Sequence, residues 1–148
     1  MPKKMPMRAH EDIAVFYDKL PCYNPIKTQG HARKTALRVN RAAKMSPVYG
    51  TQQTVTSYDS TERYPRSVIK TSTDKQKSKV HPTQKPVALM EYLIKTFTNE
   101  GDTVLDFTMG SGTTGVSCDN LGRKFIGIDT GLEWCEVARE RINLNARG

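Results

Sequence analysis

The sequence predicts an α/β fold, a parallel strand–helix–strand unit in residues 81–148 behind a basic, loop-rich N-terminal arm. Three observations predict it. Charge and apolar residues are unevenly divided along the chain, helical and strand periods alternate after His81, and a glycine-rich turn joins the first of those strands to the next helix.

The chain has 148 residues, the length of one modest domain, and a formal charge of +8. Residues 1–80 hold 16 Lys/Arg against 6 Asp/Glu, whereas residues 81–148 hold 7 against 9, so the halves carry +10 and −2. Leu, Ile, Val and Phe make up about 15% of the first stretch and 25% of the second. The first value lies below the roughly 20% at which a chain struggles to bury an independent core. A basic arm beside a globular lobe follows, and a polyanion such as nucleic acid is the ligand that arm suits.

Other classes are excluded early. Mean hydropathy is −0.60 and no run approaches 18 apolar residues, so no membrane span is expected. Met1-Pro2-Lys3-Lys4 lacks the apolar stretch of a secretory signal. Cys22, Cys118 and Cys135 lie far apart with no C-x-x-C pair, which argues against a disulfide scaffold or a zinc site and fits a reducing cytoplasm. No metal is expected.

In chain order, Glu11 to Tyr17 reads as a strand, ended by Pro21 and Asn24-Pro25. A short helix is expected over Arg33–Lys44, and a short strand over Arg66–Lys70. The remainder of 27–80 reads as loop. After His81, Pro86 opens a helix whose apolar positions are Val87, Leu89, Met90, Leu93, Ile94 and Phe97. Asn99 to Asp102 turn the chain into a buried strand, Thr103–Phe107. A glycine loop, a helix from Thr113 or Thr114 to about Leu121, a strand over Lys124–Asp129 and a helix over roughly Leu132–Asn145 complete a parallel crossover.

Gly110-Ser111-Gly112-Thr113-Thr114-Gly115 fits G-x-G-x-x-G between a strand and a helix, with Asp129 19 residues beyond Gly110. Glycines let the backbone turn tightly, and the helix start offers unpaired N–H groups. Dinucleotides and S-adenosylmethionine both use such a cradle. Asp106 at the end of the first strand helps to separate them: it would repel a pyrophosphate but favour the ammonium and sulfonium of S-adenosylmethionine.

Val104 to Gly115 resembles the donor-binding loop of amino-group (N6-adenine/N4-cytosine) DNA methyltransferases. His81-Pro82-Thr83-Gln84-Lys85-Pro86-Val87 resembles the segment that precedes that loop in the permuted, beta subgroup. Phe125 to Asp129 is similar to the second strand with its ribose-binding acid, and Arg8 to Phe16 loosely to a late strand of the catalytic half. The resemblance implies a partial Rossmann-like methyltransferase lobe whose cofactor is S-adenosylmethionine. Gly110, Ser111 and Gly112 would line the donor, Asp106 would face its amino end and Asp129 its ribose. Thr83, Lys85 and Pro86 would lie near its carboxylate, with Phe107 and Thr113 completing the set. The family usually has Pro-Phe after the acid, whereas Phe107-Thr108 stands here.

Amino methylation in this family uses Asp, Asn or Ser followed by Pro-Pro and an aromatic, which hold the extruded base. No such tetrapeptide occurs; Ser46-Pro47-Val48-Tyr49 is the nearest string. No catalytic residue is therefore expected in this chain, which reads as the carboxyl-terminal portion of such an enzyme. The resemblance divides it into a remnant strand of the catalytic half (1–26), a basic target-recognition-like region (27–80) and the donor lobe (81–148). In the middle region Arg33, Lys34, Arg38, Arg41 and Lys44 are the candidate contacts to double-stranded DNA; a solvated linker is the equal alternative. The expected function is methyl transfer to adenine N6, less favourably cytosine N4, by an enzyme of which this chain is one part. The alternatives are a non-catalytic DNA-binding module, or one chain of a split methyltransferase whose second chain supplies the catalytic half.

Overall fold

The computed structural model describes residues 10–39, 45–46, 50–51, 55–71 and 84–146. Its elements in chain order are β1 (Lys34–Val39), β2 (Met45–Ser46), β3 (Gly50–Thr51), β4 (Val55–Ser60), α1 (Val87–Phe97), β5 (Thr103–Asp106), α2 (Thr113–Asn120), β6 (Lys124–Gly127) and α3 (Leu132–Asn145).

The C-terminal lobe follows the expected order. α1 begins directly after Pro86, whose extended backbone (φ −62°, ψ 134°) occupies the N-cap. It ends where Thr98 turns extended and sends both its N–H and its Oγ1–H to the Ile94 carbonyl, at 2.9 and 2.7 Å. The Asp102 carboxylate accepts the Asn99 N–H at 2.8 Å and Gly101 takes φ +83°, a conformation glycine adopts without steric cost. That turn delivers the chain into β5. β5 and β6 pair in parallel, Thr103 opposite Lys124 through Asp106 opposite Gly127, so the intervening α2 is the crossover.

α2 is short and weakly amphipathic because it is enclosed on several sides: it packs on α1, β6 and α3, and Thr113 to Cys118 are all buried. Ile94, Val116, Cys118 and Ala138 form the small apolar core around it. Gly115 is required there. A Cβ at that position would meet Phe125 Cε1 at 2.8 Å and overlap Ile142 Cδ1. The opposite face of the two-stranded sheet is open, with Leu105 57%, Ile126 52% and Ile128 52% exposed.

The N-terminal half departs from expectation. Residues 34–39 of the helix expected over 33–44 form strand β1 instead, antiparallel to β4 from Lys34 opposite Ser60 to Val39 opposite Val55; residues 40–44 lie outside the described residues. The basic residues do repeat at helical spacing. Thr35 and Val39 are β-branched, however, and Val55-Thr56-Ser57-Tyr58 supplies a partner strand rich in the same residue types, so non-local pairing overrides the local period. β2 and β3 add a second short antiparallel pair, Met45 opposite Thr51.

The strands expected over 11–17 and 66–70 are irregular instead. Neither has a neighbouring strand among the described residues to take its N–H and C=O groups, and Phe16 is 92% exposed. Residues 22–24 nonetheless dock on the C-terminal lobe. The Asn24 N–H donates to Thr96 O at 2.8 Å and its Nδ2 to Thr98 O at 3.0 Å, meeting carbonyls at the end of α1.

Candidate functional site

The residues between β5 and α2 form a turn braced from both sides. Gly110 has φ +49° and Gly112 φ +77°, values only glycine holds without strain, and the Gly112 N–H closes the turn on Met109 O at 2.9 Å. Gly112 also lies against α3: an added Cβ would stand 2.7 Å from Ala138 Cβ and 3.0 Å from its Cα. The backbone can make this turn, at this distance from the helix, only with glycine at that place.

Two carboxylates hold the turn. Asp106, the last residue of β5, accepts the Thr108 N–H at 3.0 Å and the Thr114 hydroxyl at 2.6 Å, linking the strand end to the first turn of α2. Asp129, two residues past β6, accepts the Gly110 N–H at 2.9 Å on one oxygen and the Gly131 N–H at 3.0 Å on the other. Parallel pairing supports this arrangement, since Ile128 N–H donates to Asp106 O at 2.8 Å and Met109 N–H to Ile128 O at 3.0 Å. The two acids are thus brought to adjacent strand ends on either side of one glycine turn.

Ser111 and Thr113 are buried behind the turn at 3% and 6% exposure. Arg141 Nη1 donates to Ser111 O at 2.9 Å, Ser111 Oγ at 3.0 Å and Thr113 Oγ1 at 3.2 Å, and Ser111 Oγ–H reaches Gln84 Oε1 at 3.4 Å. A groove of 320 Å³ opens beside the turn between β6 and α3, lined by Met109, Phe125, Gly127, Ala138 and Ile142 among others, and neither acid lines it. Among the described residues no group of His, Cys, Asp and Glu is arranged to hold a metal. No helix of the described residues is long and apolar enough to cross a membrane.

Of the ten donor-site candidates, the structure gathers Asp106, Gly110, Ser111, Gly112, Thr113 and Asp129 around the turn. Pro86 is buried at the head of α1. Lys85 is exposed and ion-paired to Glu11 at 2.6 Å, Phe107 points outward at 70% exposure, and Thr83 lies outside the described residues. Gln84, Thr114 and Arg141 were not singled out from the sequence. Arg141 had a signal: it shares the inward stripe of α3 with Trp134, Ala138 and Ile142, where a cation needs partners.

The candidate nucleic-acid residues are placed differently from expectation. Arg33 precedes β1 and grips Asp59 with two bonds, Nε to Oδ1 at 2.9 Å and Nη2 to Oδ2 at 2.6 Å. The guanidinium holds the Asp59 carboxyl below the usual carboxylate range. Lys34 is exposed on β1, and Arg38 belongs to the same strand; Arg41 and Lys44 lie outside the described residues. Lys34 and Arg38 therefore lie on a strand and not on one face of a helix.

A glycine turn at the end of a parallel strand, flanked by acids from two adjacent strands, is the local geometry that a Rossmann-like small-ligand site requires. A model of the DNA methylase family (N6_N4_Mtase) matches residues 2–140, and the chain belongs to that family. It is 52% identical over 66 residues to the Type II methyltransferase M2.LlaDCHI of Lactococcus lactis subsp. cremoris, covering 45% of this chain and 24% of that protein. It is 55% identical over 62 residues to M2.DpnII of Streptococcus pneumoniae, covering 42% and 23%. Among solved structures, the complex of M1.HpyAVI with SAM is 48% identical, with a TM-score of 0.49 over 55% of this chain and 40% of that one. The chain spans about a quarter of the length of the curated relatives it matches.

Proposed function

We propose that this chain is the methyl-donor lobe of a DNA amino-methyltransferase that acts on adenine N6 in preference to cytosine N4. The observation that carries the reading is the Gly110–Gly112 turn held between the Asp106 and Asp129 carboxylates on a parallel β5–α2–β6 unit. Family membership supports the same reaction class. Adenine rather than cytosine rests on how common adenine methylation is in the family.

The residues present fit S-adenosylmethionine. Its ammonium and sulfonium are cationic, and the turn carries two acids within its hydrogen-bond network. Each oxygen has more than one lone pair, so a carboxylate bonded to backbone N–H groups can still accept from an ammonium or a hydroxyl. Asp106 would take the amino end and Asp129 the ribose, while the backbone of Gly110, Ser111 and Gly112 would line the donor and Thr113, buried behind the turn, would support it. When bound, the donor supplies an electrophilic methyl group. The chain's residues bind and orient it, and Lys85, Pro86 and Thr83 belong to the segment that would close on its carboxylate.

The target base needs a second set of groups, and the Pro-Pro-aromatic tetrapeptide is not in these 148 residues. We therefore assign base holding to polypeptide outside this sequence, whether of the same chain or a second one. The open sheet face of Leu105, Ile126 and Ile128 supports that assignment, because parallel sheets are ordinarily covered on both sides. Lys34 and Arg38 on β1 are the proposed phosphate contacts.

Calorimetric titration of the purified chain separates the readings. S-adenosylmethionine should bind and NAD should not, and Asp129→Ala should abolish the binding. A DNA gel shift that persists without donor, joined to indifference to that substitution, would establish a DNA-binding module instead.

A further inference from the structure

We propose that Arg141 is a positioning residue for the methyl donor: from α3 it fixes the orientation of the Ser111–Gly112 peptide, the central unit of the glycine turn. The inference rests on the donor-site reading above and goes beyond it, because Arg141 stands on the helix behind the turn.

The Ser111–Gly112 peptide is held at both ends. Its carbonyl accepts from Arg141 Nη1 at 2.9 Å and its N–H donates to Met109 O at 2.9 Å. A rotation of that peptide breaks both bonds and takes one acceptor from a half-buried guanidinium. The same nitrogen approaches Ser111 Oγ at 3.0 Å and Thr113 Oγ1 at 3.2 Å. Ser111 Oγ passes its own proton toward Gln84 Oε1 at 3.4 Å, and Gln84 is 7% exposed in the segment that enters α1. One side chain thereby joins α3, the turn and the start of α1. Ala138, one turn earlier on α3, sets the close approach of Gly112.

The choice of arginine is what points to the ligand. Thr113 opens α2, and the N-terminus of a helix carries partial positive charge, so a cation beside it is opposed by the helix dipole. A neutral donor would brace the turn without that opposition. A local rule broken in this way is expected where function demands a fixed geometry, and a ligand-facing turn gains affinity when its backbone is ordered before binding. The single nitrogen Nη1 meets three acceptors at once, Ser111 O, Ser111 Oγ and Thr113 Oγ1.

The test uses the 148-residue chain, with S-adenosylmethionine and its uncharged-sulfur product S-adenosylhomocysteine as probes. Arg141→Ala should weaken both by about tenfold, the loss of one half-buried charge-assisted contact. Arg141→Lys should recover part of that loss. Amide exchange should quicken at Gly110–Thr113 in Arg141→Ala while α1 and β5 exchange as in the wild type. Unchanged affinity for both probes overturns the proposal. So does equal loss in Arg141→Lys with exchange raised throughout the lobe, which makes Arg141 a general support. Tighter S-adenosylmethionine binding in Arg141→Ala also overturns it, since the guanidinium would then act only by repulsion. If the wild type binds neither probe, the donor-site reading fails, and the exchange comparison still decides whether Arg141 orders the turn.

Discussion

Asp129 and Gly110 lie 19 residues apart and meet through a 2.9 Å hydrogen bond, carboxylate to backbone N–H. The bond ties the end of β6 to the first glycine of the turn after β5, and the second oxygen of the same carboxylate fixes Gly131 at the entry to α3. An acid that the sequence suggests for ribose binding is also the bracket that shapes the loop. The proposed ribose contact and the scaffold meet at this residue.

Asp129→Ala should therefore act on the unliganded protein as well as on donor binding. It leaves the Gly110 and Gly131 N–H groups without their acceptor, and a half-buried donor so stranded costs about 1–3 kcal/mol. Chemical denaturation of the two proteins checks this; equal midpoints would show that solvent replaces the carboxylate without loss.

Gly112→Ala and Gly115→Ala should both destabilise, the first more. At 115 the new methyl overlaps Ile142 and Phe125 side chains, which can shift, so a loss of about 1–3 kcal/mol is expected from overpacking. At 112 it meets the Ala138 backbone at 3.0 Å, and φ +77° adds the left-handed penalty, about 1–2 kcal/mol. Unfolding curves give the order directly.

Burial pushes the Cys118 thiol from 9.0 up to about 11, with Arg123 opposing and Asp106 adding to the shift. The fold favours the neutral thiol, so this contribution is complete below pH 9.0 and is lost as pH rises toward 11. Unfolding free energy should fall through that window, less steeply in Cys118→Ala. In the native protein near neutral pH, iodoacetamide should label exposed Cys22 first and Cys118 only after denaturation.

Asn24→Ala should loosen the N-terminal segment from the lobe. The amide donates to Lys95 O at 3.3 Å, Thr98 O at 3.0 Å and Asn99 Oδ1 at 3.2 Å, satisfying carbonyls that the end of α1 leaves open. A stability loss of about 1 kcal/mol is expected, with faster proteolysis within residues 10–27. Unaltered cleavage would show that the segment is held elsewhere.

The C-terminal lobe was legible because its signals are local. Pro86, the apolar period of α1, the Gly101 turn and the glycine loop each dictate their own stretch of backbone, and β5 and β6 lie close in sequence. The N-terminal half was not, because its structure depends on partners. Arg33 to Lys44 has the spacing of a helix, yet β4 some twenty residues on decides for a strand. Ile13, Val15 and Phe16 look like a strand, yet no described strand pairs with them. At the proposed site, the glycine motif anticipated the turn, and the strand ends anticipated an acid on either side of it. Arg141 and Gln84 reach it from α3 and from before α1, a convergence that no spacing rule within the loop contains.

The most direct measurement is the response of the backbone amides of Gly110, Ser111 and Gly112 to added S-adenosylmethionine, followed by NMR. These signals should shift in a saturable manner, together with those next to Asp106 and Asp129, while β1 and β4 stay unmoved. Saturable shifts confined to the groove between β6 and α3, or no shift at the turn at all, would contradict the assignment of the turn as the donor site.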